Sequence, residues 1–227
     1  NYLERIAPYY ERGYDWVAVE SLSFNLETVY SRFVQAQHLM DYADDPNYSP
    51  LTTQGYSVRR DAARAVGMIS GGDYPVNFCR DWTLGKKLSE KGYKKMLDRS
   101  ITVPHKSPDN FPEYWHVQKT RGLMSAYQPY FLFHRSPLYL FLKFTAKSIL
   151  AFFHFALIVP AVWRAARIAK RSVRHLRDFF PIYGAYFIHV LARCVGEWQG
   201  WVVVLRLDRT SRTAQAAGMT GSTGAST

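Results

Sequence analysis

Three residue types that can transfer protons or pair charges occur four residues apart near the end of the chain: His189, Arg193 and Glu197. Because a helix has 3.6 residues per turn, this spacing places the three side chains on one helical face. They interrupt an apolar segment, and intramembrane His, Arg and Glu are the residues that proton paths use. Arg193 and Glu197 can also neutralise each other across one turn. We interpret them as an intramembrane polar face that makes structural contacts, with proton conduction as the alternative.

The other candidate motifs point away from catalysis. Glu113 and His116 have the Glu-x-x-His spacing of di-iron bundles, but the second copy that such sites require is absent. His154 is alone in an apolar segment, where we expect a neutral ring bonded to a neighbouring helix rather than a haem or metal ligand. Cys79 and Cys194 form no zinc, disulfide or nucleophile motif, and no glycine-rich phosphate loop occurs. We therefore predict no catalytic residues, no metal and no cofactor.

An apolar segment over residues 137–163 predicts a transmembrane helix. Sixteen uncharged residues separate Lys147 from Arg164, and Lys143 lies one turn before Lys147. As a helix, 27 residues would extend roughly 40 Å, which exceeds the hydrocarbon thickness of about 30 Å. The two lysines can place their ammonium groups at one interface, and Trp163 beside Arg164 is typical of the other. The alternative is a buried core helix, since the uncharged run is of borderline length.

Cationic residues concentrate around this segment. Residues 137–227 contain 12 Lys/Arg and 3 Asp/Glu, whereas residues 1–136 contain 17 and 15. Positive charge beside apolar segments favours anionic phospholipids over nucleic acid, and cardiolipin is the lipid we favour. A solvated face or an acidic protein partner is the alternative. The predicted lipid-binding residues are Lys143, Lys147, Arg164, Arg167, Lys170, Arg171, Arg174 and Arg177. Within the basic amphipathic link over 164–177, one helical face would carry Arg164, Arg167, Arg171 and Arg174.

A second apolar segment over residues 179–205 predicts another membrane helix. Its small residues Ala192, Gly196 and Gly200 are spaced by four, a pattern that permits close approach of helices. Because charged residues interrupt the segment, it either spans the membrane or lies at the interface or within protein. We expect residues 206–227, which end in small polar residues, to form a flexible tail.

Residues 1–136 are expected to form an extramembrane region of short helices and long loops. Helical spacing predicts one helix that is capped by Ser21 or Ser23 and ends at Asp44, a shorter one from Ser57 to Gly71, and a third over residues 83–99. Strand-like alternation is scarce, and the apolar stripes are short. We therefore expect neighbouring chains to order this region.

The sequence as a whole predicts a mainly α fold with one or two transmembrane helices, arranged as helix, basic link and helix, beside an irregular N-terminal region. We expect a non-catalytic accessory or structural subunit of an ATP synthase or respiratory-chain complex in the mitochondrial inner membrane. It would contribute to assembly and lipid anchoring, with other subunits and membrane lipids as partners and neither nucleic acid nor a small-molecule substrate. The low cysteine count and the lack of a secretory segment favour this compartment. The alternatives are a proton-path or transport subunit that uses His189, Arg193 and Glu197, and a soluble basic organellar ribosomal protein.

Overall fold

The structure, a computed structural model, describes residues 1–44, 55–67 and 80–220. It is mainly helical, with a small three-stranded sheet. Two segments are long and apolar enough to cross a membrane by length and composition, Pro137–Ala156 and His175–Ser211.

The elements follow in chain order as α1 (Tyr2–Glu11), β1 (Trp16–Ser23), α2 (Val29–Asp44), β2 (Tyr56–Val58), α3 (Arg60–Ala65), α4 (Arg80–Glu90), β3 (Lys95–His105), α5 (Phe111–Tyr127), a π-helical turn (Gln128–Leu132), α6 (Pro137–Ala156), α7 (Val159–Ala169), a 3₁₀ turn (His175–Asp178) and α8 (Phe179–Thr220). The chain divides into two compact units. The first comprises Asn1–Tyr114 and Val162–Tyr186, and the second comprises Trp115–Ala161 and Phe187–Thr227.

The sheet of the first unit has β1 at its centre, antiparallel to β2 and parallel to β3. Residues 16–20 of β1 are buried, so both faces of this strand are covered. On one face Trp16 packs in an apolar cluster with residues of α3 and α4, and on the other Val17 and Val19 pack with Ile6 of α1 and Ile101 of β3. The first unit therefore contains apolar clusters of its own.

The sheet corrects the expectation of an N-terminal region built from helices and loops alone. The predicted helix over residues 83–99 ends at Glu90, because Gly92 has a φ of +75° and turns the chain into β3. The predicted helix that ends at Asp44 is present, but it begins only at Val29 because the chain up to Ser23 belongs to β1. The helix predicted from Ser57 begins only at Arg60, because Ser57 belongs to β2, and α3 ends at Ala65. Its predicted end at Gly71 lies outside the described residues.

The second unit is a packing of three helices. α6 runs antiparallel to α8: the Trp201 indole N–H donates to the carbonyl oxygen of Pro137 at 3.0 Å, and the rings of Phe155 and Phe187 meet 5.2 Å apart. α5 runs parallel to α8. Gly122 lies beside Arg193, and Tyr130, which follows α5, donates a hydrogen bond to Asp208 further along α8. The sequence pattern predicted the α6 and α8 segments but not the contribution of α5.

The helix predicted over residues 137–163 is interrupted. α6 ends at Ala156, Ile158 adopts a φ of +60°, and α7 begins at Val159. Pro160 explains the break, because proline has no N–H to donate to the carbonyl of Ala156 and its ring clashes there. Trp163 consequently belongs to α7.

α8 is a single helix of 42 residues, which corresponds to roughly 63 Å. Pro181 lies in its first turn, where no intrahelical N–H bond is lost. The helix continues to Thr220, so residues 206–220, which the sequence assigned to a tail, belong to α8. Residues 221–227 lie outside the described part.

Candidate membrane-contact site

One side of α6 exposes large apolar side chains along its length. Of its 20 residues only Pro137, Leu140 and Phe144 are buried, which is far too few for a core helix. A contiguous apolar surface of this kind marks a contact with lipid or with another protein. Its most exposed members, each more than half exposed, are Leu138, Leu142, Ile149, Leu150, Phe152 and Phe153.

The opposite side of α6 packs on α8 through buried and aromatic residues. Leu140 and Phe144 are fully buried. The Trp198 indole N–H donates to the hydroxyl of Ser148 at 3.0 Å, and the Trp198 ring lies 5.8 Å from that of Phe141. Because a partly buried indole also needs an acceptor for its N–H, the bonds of Trp198 and Trp201 fix how the two helices meet.

The predicted polar face of α8 includes a buried carboxylate. Glu197 is 2% exposed, and its carboxylate forms an ion pair with the ammonium group of Lys147 on α6. The side chain of Lys147 is 45% exposed, so the cation reaches the surface while the anion does not. His189 is buried on the same helix, whereas Arg193 is partly exposed. The ion pair between Lys147 and Glu197 therefore neutralises the carboxylate across the two helices.

The small residues of α8 meet α5 at very short range. A Cβ atom at Gly196 would lie 1.9 Å from the carbonyl oxygen of Lys119, and one at Gly200 would lie 2.8 Å from that of Leu123. On α5, a Cβ atom at Gly122 would lie 2.2 Å from the carbonyl oxygen of Arg193. Only residues without a side chain fit at these three positions. Ala192 is fully buried on the same helix.

The basic link does not form a single helical face. Arg164 and Arg167 lie on α7, whereas Arg171 and Arg174 follow its end at Ala169. The guanidinium group of Arg164 lies 3.6 Å from the carboxylate of Asp41, and that of Arg167 lies 4.8 Å from the centre of the Trp163 ring. The cations that follow α7 are all exposed, and they are Lys170, Arg171, Arg174 and Arg177.

A buried ion pair, which the sequence analysis missed, holds this link in the first unit. Arg32 of α2 donates from Nε and Nη2 to the two carboxylate oxygens of Asp178 at 2.8 and 2.9 Å. The two side chains are only 5% and 3% exposed. Ser172 donates a further hydrogen bond to Asp178, and Arg32 also donates to the carbonyl oxygens of Leu26 and Glu27. Since all these groups are bonded, the pair is a clamp between α2 and the start of α8.

The remaining lysine and the Glu-x-x-His motif have local roles. The ammonium group of Lys143 lies 5.9 Å from the centre of the Phe144 ring. Glu113 accepts a hydrogen bond from the backbone N–H of Asp109 at the start of α5, and His116 is exposed. Within residues 1–44, 55–67 and 80–220, no group of three His, Cys, Asp or Glu residues could hold a metal ion.

These residues offer three means of binding and positioning: the exposed apolar side of α6, the ion pair between α6 and α8, and the exposed cations that follow α7. No model of a known protein family matches the chain, and no curated protein matches its sequence. The functional interpretation therefore depends on the geometry and chemistry of the chain itself.

Proposed function

We propose that the chain is a non-catalytic subunit of a multi-subunit membrane complex, anchored by α6 and by the apolar part of α8. The exposed apolar side of α6 carries this proposal. In water such a surface would aggregate, whereas in a bilayer its exposure is favourable. With 20 residues, α6 extends about 30 Å and matches the hydrocarbon thickness.

The membrane in this proposal is the mitochondrial inner membrane, and the complex is an ATP synthase or a respiratory-chain complex. The exposed cations after α7 favour a membrane rich in anionic phospholipid, of which cardiolipin is the candidate. Other subunits and membrane lipids would be the partners. The work of the chain would be assembly and lipid anchoring, because the buried carboxylates of Glu197 and Asp178 are each paired with a cation of the same chain.

A proton-path subunit is the second candidate, and the buried carboxylate of Glu197 is the observation that favours it. Glu197→Gln separates the two functions. A structural role predicts unchanged proton flux in the assembled complex, whereas a proton path predicts loss of flux with the complex intact. The ion pair with Lys147 supports the structural role, since it already neutralises the carboxylate.

Alkaline carbonate extraction of membranes from cells that produce the full chain tests the anchoring. Retention in the membrane pellet is expected, and release into the supernatant would exclude the proposal in favour of a soluble basic protein.

Purification of the tagged chain in mild detergent tests the proposed membership of a multi-subunit complex. We expect it to purify with the catalytic subunits of one energy-transducing complex, and recovery as a lone chain from mitochondrial membranes would contradict that.

A further inference from the structure

The segment from Lys170 to Phe180, here called the cationic segment, presents only positive charge to its surroundings. Its four cations are exposed. Its one acidic residue, Asp178, is 2% exposed and is bound to Arg32. An anion that approaches this segment therefore meets no exposed carboxylate from it. The exposed cations are Lys170, Arg171, Arg174 and Arg177.

Large apolar side chains alternate with these cations and are exposed with them. Val173 and Leu176 are each 57% exposed, and Phe180, in the first turn of α8, is 82% exposed. Interleaved cationic and apolar side chains are typical of segments that lie in a lipid headgroup region. There the apolar groups enter the acyl boundary, while arginines bind phosphate oxygens through their paired N–H groups.

Two buried residues hold the exposed part of the segment in place. Ser172 is 3% exposed and donates to Asp178, so the chain is fixed just before Val173 and just after Arg177. Asp178 is fixed in turn by the two hydrogen bonds from Arg32. The outward direction of the five residues between these anchors is thus set before any ligand binds, which reduces the entropy lost on binding.

We propose that the cationic segment is a binding site for anionic phospholipid, with its cations on the phosphate groups and Val173, Leu176 and Phe180 inserted at the acyl boundary. The site rests on the proposed membrane function, to which it adds the class of lipid and the residues that bind it. A lipid surface fits better than an acidic protein because the segment leads directly into α8 and because cations and apolar groups alternate along it. Arg164 and Arg167 are excluded from the site, since Asp41 and Trp163 already occupy their guanidinium groups.

The test uses the purified full chain in detergent micelles with equal amounts of phosphatidylcholine and either phosphatidylglycerol or cardiolipin. Native mass spectrometry counts the lipids that stay bound. The test variant replaces Lys170, Arg171, Arg174 and Arg177 by glutamine. A control for charge removal elsewhere is the double variant Arg60→Gln/Arg64→Gln, which removes two exposed arginines of α3 and is compared per cation removed. A second test variant, Phe180→Ser, is matched by Phe24→Ser, whose phenylalanine is 63% exposed.

The wild type is expected to prefer anionic lipid, and each removed cation should lower that preference about fivefold at low salt. Phe180→Ser should weaken retention of both lipids, and the two controls should match the wild type. An unchanged preference in the glutamine variant would overturn the proposal while leaving a membrane-anchored chain intact. Unchanged lipid binding together with loss of the chain from its complex would instead assign the segment to an acidic protein surface. Release of the wild type by carbonate would reject the proposed function itself.

Discussion

The ammonium group of Lys147 on α6 pairs with the carboxylate of Glu197 on α8, across 50 positions of sequence. The expected partner of Glu197 was Arg193, one turn away on the same helix. The structure instead directs Glu197 between the helices, where it is 2% exposed, and supplies the cation from the facing helix. An ion pair within one helix would stabilise that helix alone, whereas this pair also specifies how α6 and α8 align.

Replacing Lys147 by methionine should destabilise the second unit strongly. The change leaves the Glu197 carboxylate buried without a cation, and breaking a buried pair in this way costs about 3–5 kcal/mol. Glu197→Gln should cost less, because the partly exposed Lys147 can extend toward water or headgroups. The double variant should recover most of the loss, since no charge is left buried. Thermal unfolding in detergent micelles measures all three.

Lys143→Met is the matched control for this ion pair. Lys143 lies one turn earlier on the same helix, its ammonium group lies 5.9 Å from the centre of the Phe144 ring, and Glu197 acts on it only by a longer-range Coulombic attraction. Its loss should change the unfolding temperature little. Equal destabilisation by Lys143→Met and Lys147→Met would show that the pair has no specific role.

Gly196→Ala should destabilise the packing of α5 on α8. The added Cβ atom would lie 1.9 Å from the carbonyl oxygen of Lys119, and backbone cannot move aside as a flexible side chain can. Overpacking of this kind costs about 1–3 kcal/mol or more. Gly184→Ala is the control on the same helix, because its Cβ atom would meet nothing within 4 Å. That change should stabilise the helix by about 0.5–1 kcal/mol, so unfolding measurements should give opposite signs.

Arg32→Met should destabilise the first unit. Asp178 would keep its charge in a buried site with only Ser172 as donor, at an expected cost of about 3–5 kcal/mol. Arg164→Gln removes another Arg–Asp contact, at 3.6 Å, in which both side chains are about one-third exposed. Exposed pairs contribute about 0–1 kcal/mol. Denaturant unfolding should therefore separate the two variants clearly, and similar losses would argue against a clamp at Asp178.

The stability of the first unit should rise between pH 8 and pH 10 because of Lys95. Burial lowers the pKa of Lys95 to about 8, whereas an unfolded chain has a lysine pKa of about 10.4. Between these values the unfolded chain binds more protons, so raising the pH favours the folded state. Lys95→Met should remove this rise, and Lys94→Met, at the exposed neighbour, should keep it. Denaturant midpoints at several pH values test this, and a rise that persists in Lys95→Met would contradict it.

Much of the helical architecture is visible in the sequence because hydropathy and proline are local signals. The apolar segments that become α6 and α8 were predicted, whereas the break that ends α6 was not, although Pro160 signals it. β1 was missed because both of its faces are buried. A strand of this kind has no alternation of apolar and polar residues, and alternation is the pattern that reveals a strand from sequence.

The contacts that define the candidate site could not be predicted, because they join residues far apart in the chain. Arg32 and Asp178 are separated by 146 positions, and neither has a spacing pattern that indicates a partner. Gly196 and Gly200 suggested a close helix neighbour, but the identity of that neighbour depends on the path of α5. Gly122 lies in α5 among polar residues, so its neighbourhood lacks the hydropathy of a membrane helix.

Leu150→Arg distinguishes lipid from water as the surroundings of α6. The leucine is 68% exposed, so an arginine there would change stability by no more than about 0.5 kcal/mol if water were the solvent. In a bilayer the same change opposes insertion by about 2.5–3.5 kcal/mol, and a smaller fraction of the chain should resist carbonate extraction. Leu3→Arg on α1 is the matched control, because that leucine is 66% exposed and lies outside both apolar segments. Unchanged extraction of Leu150→Arg would indicate that the exposed side of α6 contacts water, since an apolar environment penalises a charge and water does not.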